Sequence, residues 1–92
     1  MLKIGKKNID IFITNKIIWD IEEVFDKEIS KVMGGISEMK TKDLALLIFQ
    51  TVKDELTFDE FSEQIELNQY IPAATEVILK INKAFGVDEK KK

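Results

Sequence analysis

The chain has 92 residues, of which 45% are apolar and 34% are charged, and its formal net charge is −3. This composition is typical of one folded globular domain rather than of a disordered chain. The sequence contains no histidine, cysteine or arginine, which are the side chains that most often carry proton transfer, thiolate chemistry and phosphate clamping. These absences disfavour an enzyme and exclude disulfide bonds, so we expect a protein of a reducing, cytoplasmic compartment that acts by binding.

The net charge and the length of the apolar runs also restrict the kinds of partner that we expect. The negative charge and a pI near 5.0 argue against general nucleic-acid binding, which usually needs a basic surface. The longest uninterrupted apolar run, residues 44–49, has six residues, whereas a membrane-spanning helix needs roughly 20. We therefore expect neither a nucleic-acid partner nor a membrane partner.

The first predicted element is a β-hairpin over residues 2–14. Apolar residues alternate there in a strand-like way, and Gly5 and Asn8 favour a four-residue loop between the two strands. Ile9, Ile11 and Ile13 share one face of the second strand, while Phe12 points away from it. Because two strands alone are marginally stable in water, the hairpin must pack on the helices that follow.

The first predicted helix covers residues 15–33, from a cap at Thr14 or Asn15 to the glycine pair 34–35. Glu28 falls within the apolar arc of this helix, and Trp19 lies among its polar residues. Seven apolar positions share the arc at helical spacing: Ile17, Ile18, Ile21, Val24, Phe25, Ile29 and Val32.

Three further helices are predicted at 41–55, 58–67 and 72–85. The second helix of the chain has a wide apolar arc that still leaves Leu46 outside, as expected of a central helix. Thr57 and Glu60 match the capping box that starts the third. Pro72 suits the start of the fourth, whose buried stripe is predicted to run to Phe85 with Leu79 on the opposite face.

Residues 87–92 are predicted to form a charged tail. No repeat, low-complexity linker or change of composition divides the chain, so residues 1–92 are predicted to form a single domain. The fold class is therefore mainly α: a compact four-helix domain with a short N-terminal β-hairpin.

No catalytic, cofactor-binding or metal-binding residues are predicted. The acidic stretch at 54–61 resembles the helix beside a calcium loop, but no window supplies the alternating oxygen ligands and the sixth-position glycine of that loop. No histidine completes a di-metal site with the carboxylates of the first helix. We therefore interpret Glu22 and Glu23 as part of a solvated face and Glu28 as a structural carboxylate.

Three apolar side chains remain uncovered in this arrangement, and we predict that they contact a partner or another subunit: Trp19, Leu46 and Leu79. Single exposed apolar residues are common, but a tryptophan is a favoured interface anchor. For Trp19 two interpretations stay open at this point, an interface role and packing against the N-terminal hairpin.

The order of the segments resembles that of the tail assembly chaperones of long-tailed, siphovirus-type phages and related gene transfer agents. The similarity extends over a short β segment, residues 14–23, a glycine break, and the stretches 41–48, 56–61 and 84–86. It implies a cytoplasmic oligomer that binds and solubilises the tape measure protein, helps to recruit tail tube subunits, and is absent from the mature virion. It also implies a longer product made by ribosomal frameshifting, for which the lysines at 90–92 suit slippery codons; a solvated tail explains them equally well.

Two other classes of function are weighed against this one. A small regulatory or antitoxin-like DNA-associated protein would need cationic residues on a recognition helix, whereas the 41–55 helix is almost entirely apolar. A gel shift with duplex DNA at low salt tests that alternative. An enzyme built on carboxylates would need a concave pocket with convergent acidic groups, which the sequence does not predict.

Overall fold

The computed structural model describes residues 2–86, and five α-helices follow a two-stranded hairpin. The strands are β1 (Leu2–Ile4) and β2 (Lys7–Ile9). The helices are α1 (Asn15–Phe25), α2 (Ile29–Gly34), α3 (Thr41–Val52), α4 (Phe58–Gln64) and α5 (Tyr70–Ala84), with short 3-10 turns at Ile36–Glu38 and Leu67–Gln69. The mainly helical class with an N-terminal hairpin is confirmed.

The hairpin is shorter and tighter than predicted. Its antiparallel register pairs Leu2 with Ile9 and Ile4 with Lys7, so the turn has two residues rather than four. Gly5 occupies the first central position with φ of 62°, as two-residue turns of the II′ kind require. Residues 10–14 continue without strand pairing in the described part of the chain.

The predicted helix at 15–33 is wrong as a single element, because the chain breaks at Asp26. This residue adopts the left-handed conformation and its amide donates to the Glu22 carbonyl, which ends α1. The Glu22 carboxylate accepts a hydrogen bond from the amide of Ile29 at 3.0 Å and so supports the start of α2. Glu28, predicted to lie in the apolar arc, is exposed just before α2.

The other helices differ from the prediction mainly at their ends. α3 stops at Val52 and α4 at Gln64. The capping box is confirmed: Thr57 accepts from the Glu60 amide, and the Glu60 carboxylate accepts from the Thr57 amide. α5 begins at Tyr70, so Pro72 lies within its first turn, where a missing N–H costs no intrahelical bond.

The core is built around α3, which packs against α1, α4 and α5, while β1 packs on α5. Two large apolar residues predicted to be buried are exposed. Val24 lies in the last turn of α1, just before the break, and Phe85 lies one residue beyond α5. The largest fully buried side chains come from nearly every element: Leu2, Ile4, Ile21, Val32, Leu47, Ile48, Val52, Phe61, Val77 and Ile81.

An aromatic cluster packs α4 against α3. The ring centroids of Phe49 and Phe58 lie 5.2 Å apart in an edge-on arrangement, and those of Phe49 and Phe61 lie 5.8 Å apart. Both separations fall in the favourable range for aromatic pairs.

The predicted charged tail at 87–92 lies outside the described residues. Within residues 2–86, no helix combines the length and apolar character that a membrane crossing requires.

Candidate functional site: the exposed apolar surface

The most unusual feature of the surface is the number of large apolar side chains that face water. In the described chain these side chains lie on the 10–14 segment, on α1 and along the region of α5. They are Phe12, Trp19, Val24, Leu67, Ile71, Leu79 and Phe85. Single residues of this kind are ordinary, and these seven are the candidate contact residues that the described surface offers to a partner.

The three predicted contact residues have different surroundings. Trp19 on α1 is 64% exposed and Leu79 on α5 is 47% exposed. Leu46 is half-buried on α3, because that helix has neighbours on several sides. The three residues therefore lie on three separate helices, and none of them lines either of the two open pockets beside the 10–14 segment.

The first pocket lies between the 10–14 segment, α1 and the end of α3, and has a volume of about 250 Å³. In its wall, Asp20 accepts hydrogen bonds from the ammonium groups of Lys53 and Lys16, and these bonds hold the pKa of Asp20 below its ordinary value. Lys53 also donates to the side-chain oxygen of the buried Gln50 at 3.3 Å. Such a network is typical of a structural link between helices, here between α1 and α3.

The second pocket is a groove of about 210 Å³ between the 10–14 segment and the last turns of α5. We call it the basic groove, since its lining is apolar except for two lysines. The lining residues are Ile11, Phe12, Ile13, Lys80, Lys83 and Ala84. Neither lysine forms an ion pair with a residue in the part of the chain that the structure describes.

The acidic residues of the described chain form no group of three or more that could hold a metal ion. Glu22, one of the carboxylates considered as a ligand, instead accepts the amide of Ile29. Glu60 is engaged in the capping box, and the Thr57 amide lowers the pKa of this carboxyl group. These carboxylates support helix ends, which is a structural role.

Sequence reasoning missed the two most exposed aliphatic side chains of the described residues, Leu67 and Ile71, which are 83% and 64% exposed. Leu67 was placed in the last turn of a helix that in fact stops at Gln64, and Ile71 was placed just before a helix that in fact includes it. Their spacing of four residues was the available signal, because residues four apart share one face of a helical turn.

No protein-family model, characterised protein or solved structure matches this chain.

Proposed function

We propose that this chain is a tail assembly chaperone. It binds the tape measure protein of a long-tailed phage, keeps that protein soluble and helps to recruit tail tube subunits. It acts in the host cytoplasm by binding alone, and it is absent from the mature virion.

The exposure of Trp19 is the observation that carries this proposal. A tryptophan that is 64% exposed on a helix of a folded domain leaves a large apolar surface in water, and tryptophan is among the residues most enriched in binding hot spots. Leu79 presents a second apolar contact on α5. An elongated partner with amphipathic helices would cover such residues by helix-to-helix contact.

The order of the elements supports the same proposal. A short β segment, a helical stretch ended by glycines and three further helices are the arrangement on which the resemblance to tail assembly chaperones rests. The break at Asp26 divides the first helical stretch into α1 and α2 but preserves this order. The net charge of −3 also suits a carrier that must stay dispersed while it covers apolar segments of a partner.

Co-expression with fragments of a tape measure protein tests the proposal. The wild-type chain is expected to move the fragment from the insoluble to the soluble fraction and to co-purify with it. A variant carrying Trp19→Ser and Leu79→Ser is expected to lose most of this effect while remaining folded, with a melting temperature only a few degrees below that of the wild type. A matched control with Lys27→Ser and Lys42→Ser, of which the first lies between α1 and α2 and the second in the first turn of α3, both exposed, should behave as the wild type does.

Two outcomes would contradict the proposal. One is a fragment that stays insoluble with the wild-type chain across the full length of the tape measure protein. The other is a Trp19→Ser, Leu79→Ser variant that solubilises and binds the fragment as well as the wild type. The second result would show that other residues make the contact.

A further inference from the structure

The first pocket, between the 10–14 segment, α1 and the end of α3, contains a buried side-chain amide of which only one end is paired. Gln50 lines this pocket and is 7% exposed. Its oxygen accepts a hydrogen bond from the Lys53 ammonium at 3.3 Å, which fixes the orientation of the amide because a lysine only donates. The Gln50 nitrogen has no acceptor among residues 2–86. Buried amide groups nearly always have one, so this donor indicates that a ligand supplies it.

The main chain on the opposite wall of the pocket is unpaired as well. Burial alternates along residues 10–13 as it does in a strand, since Asp10 and Phe12 are exposed while Ile11 is buried. This segment directly follows β2, yet its peptide groups form no hydrogen bond with residues 2–86. An unpaired strand-like edge can accept the strand of another chain, and main-chain hydrogen bonds then supply the affinity.

The charges of the pocket wall favour a basic ligand. The wall contains four carboxylates and two lysines, and both lysines bind the same carboxylate, that of Asp20. The carboxylates of Asp10, Asp54 and Glu55 form no ion pair with a residue in 2–86. The pocket also lies at the carboxyl-terminal end of α3, where the helix dipole attracts cations.

The size and the apolar part of the lining restrict the ligand further. The volume of about 250 Å³ is below the roughly 300–1,000 Å³ that is usual for cofactor and small-molecule sites. Ile11, Ile17 and Val52 contribute apolar surface to the lining. A pocket of this kind suits one or two side chains of a peptide that passes through it.

We propose that the first pocket binds an extended, basic peptide segment of a partner protein by strand addition. The segment lies beside residues 10–13 and pairs with their peptide groups. One of its carbonyl groups accepts the Gln50 amide, and its apolar side chains contact Ile17 and Val52. Its lysine or arginine side chains lie among the unpaired carboxylates of the wall. Because side chains alternate along a strand, the site selects a segment in which apolar and basic residues alternate.

Three synthetic peptides test the charge and the pairing. The first alternates valine and lysine and is acetylated and amidated, the second has glutamate in place of lysine, and the third is the lysine peptide with N-methylated valines. Fluorescence anisotropy of labelled peptides should give a dissociation constant at least about tenfold lower for the first than for the second. The third should not bind, because it lacks the N–H groups that strand pairing needs. Equal affinities, or no binding of the lysine peptide, would overturn the proposal.

Two variants of the pocket test its residues. Gln50→Leu removes the unpaired nitrogen and should raise the dissociation constant of the lysine peptide about tenfold. An unchanged constant would mean that water satisfies the amide, which would overturn the assignment of Gln50 to a ligand. The triple variant Asp10→Asn, Asp54→Asn and Glu55→Gln should also raise the constant about tenfold. Its three positions are exposed, so this variant tests the site even if Gln50→Leu fails to fold.

A matched control separates the pocket from general attraction between a basic peptide and an acidic protein. The triple variant Glu23→Gln, Glu28→Gln and Glu63→Gln removes the same number of charges from exposed positions outside the pocket. Its affinity for the lysine peptide should stay within about twofold of the wild type. An equal loss of affinity in both triple variants would overturn the site.

Amide exchange with deuterium tests the strand addition itself. A saturating concentration of the lysine peptide should slow exchange at residues 10–13 at least about tenfold, because their amides gain acceptors, while exchange in α4 stays as it was. Unchanged exchange at residues 10–13 would overturn strand addition. The pocket includes neither Trp19 nor Leu79 and these measurements use no tape measure protein, so their failure is distinguishable from failure of the proposed chaperone function.

Discussion

The helices α3 and α5 are both rich in aliphatic residues, yet they use them differently. α3 buries Leu44, Ala45, Leu47, Ile48 and Val52, and no residue of this helix is among the large apolar side chains exposed to water. α5 buries one stripe, ending at Ile81, but leaves Ile71 and Leu79 exposed. The contrast indicates that apolar residues on α3 stabilise the fold, whereas the outer apolar residues of α5 are available for binding.

The largest effect is expected from comparing one leucine on each helix. Leu47 is fully buried, so Leu47→Ala should lower the free energy of unfolding by about 2–5 kcal/mol through lost burial and a residual cavity. Leu79→Ala should lower it by less than about 1 kcal/mol, because the side chain is already 47% exposed. Urea unfolding of both variants measures the difference. Equal losses would mean that Leu79 belongs to the core.

A second test concerns the hairpin turn at Gly5, which packs against the backbone at the end of α4. A Cβ atom at Gly5 would lie 2.7 Å from the Gln64 carbonyl oxygen, and φ there is +62°. Gly5→Ala should therefore destabilise the protein by about 2 kcal/mol or more through strain and close contact. Gly34→Ala is the matched control, since a Cβ there meets no atom within 4 Å, and it should stabilise the helix slightly. Thermal unfolding compares the two.

The side chain of Gln69, which lies just before α5, forms two hydrogen bonds with the same hairpin turn. Its oxygen accepts the Gly5 amide at 2.7 Å, and its nitrogen donates to the Gly5 carbonyl at 3.0 Å. Gln69→Ala should lower the free energy of unfolding by about 1–2 kcal/mol, because part-buried backbone groups lose their partner. Exchange of the Gly5 amide with deuterium should also accelerate. An unchanged exchange rate would contradict the bond.

The smallest effect is expected at the start of α4. Thr57→Ala should lower the free energy of unfolding by about 1 kcal/mol, since it removes the cap of the helix. Thr41→Ala is the control, because Thr41 is exposed and no side chain caps the start of α3. Its effect on urea unfolding should be close to zero.

The capping box also predicts a pH dependence. The pKa of Glu60 is lowered from its ordinary value of 4.5 by the hydrogen bond from the Thr57 amide. A lowered pKa means that the stabilisation is present above pH 4.5 and is lost as the pH falls through the lower pKa of the folded state. The difference in melting temperature between the wild type and Glu60→Gln should therefore shrink below pH 4.5. A constant difference would contradict this role.

Local sequence signals predicted the elements better than their ends. The capping box at Thr57 and the helical spacing of α3 and α5 are strong because they arise from residues three or four apart. The break at Asp26 was missed because the apolar spacing continues through it from Phe25 to Ile29. It depends on a left-handed residue and on the Glu22 carboxylate, which periodicity does not reveal.

The candidate surface was predictable only in part. Trp19 and Leu79 stood out because they interrupt polar faces, and both are exposed. The groove beside Phe12 was not predictable, since it forms between residues 11–13 and 80–84, nearly seventy positions apart in the sequence. The pair formed by Asp20 and Lys53 is another product of tertiary packing that no local pattern indicates.

Fluorescence of Trp19 tests the central claim most directly, because Trp19 is the only tryptophan of the chain. If the exposed apolar side chains form the binding surface, the isolated protein at low concentration should emit at the long wavelengths typical of an indole in water. Addition of a tape measure fragment that is soluble without detergent should shift this emission to shorter wavelengths. Emission that is already short in the dilute protein, or that stays unchanged when the fragment binds, would contradict the account.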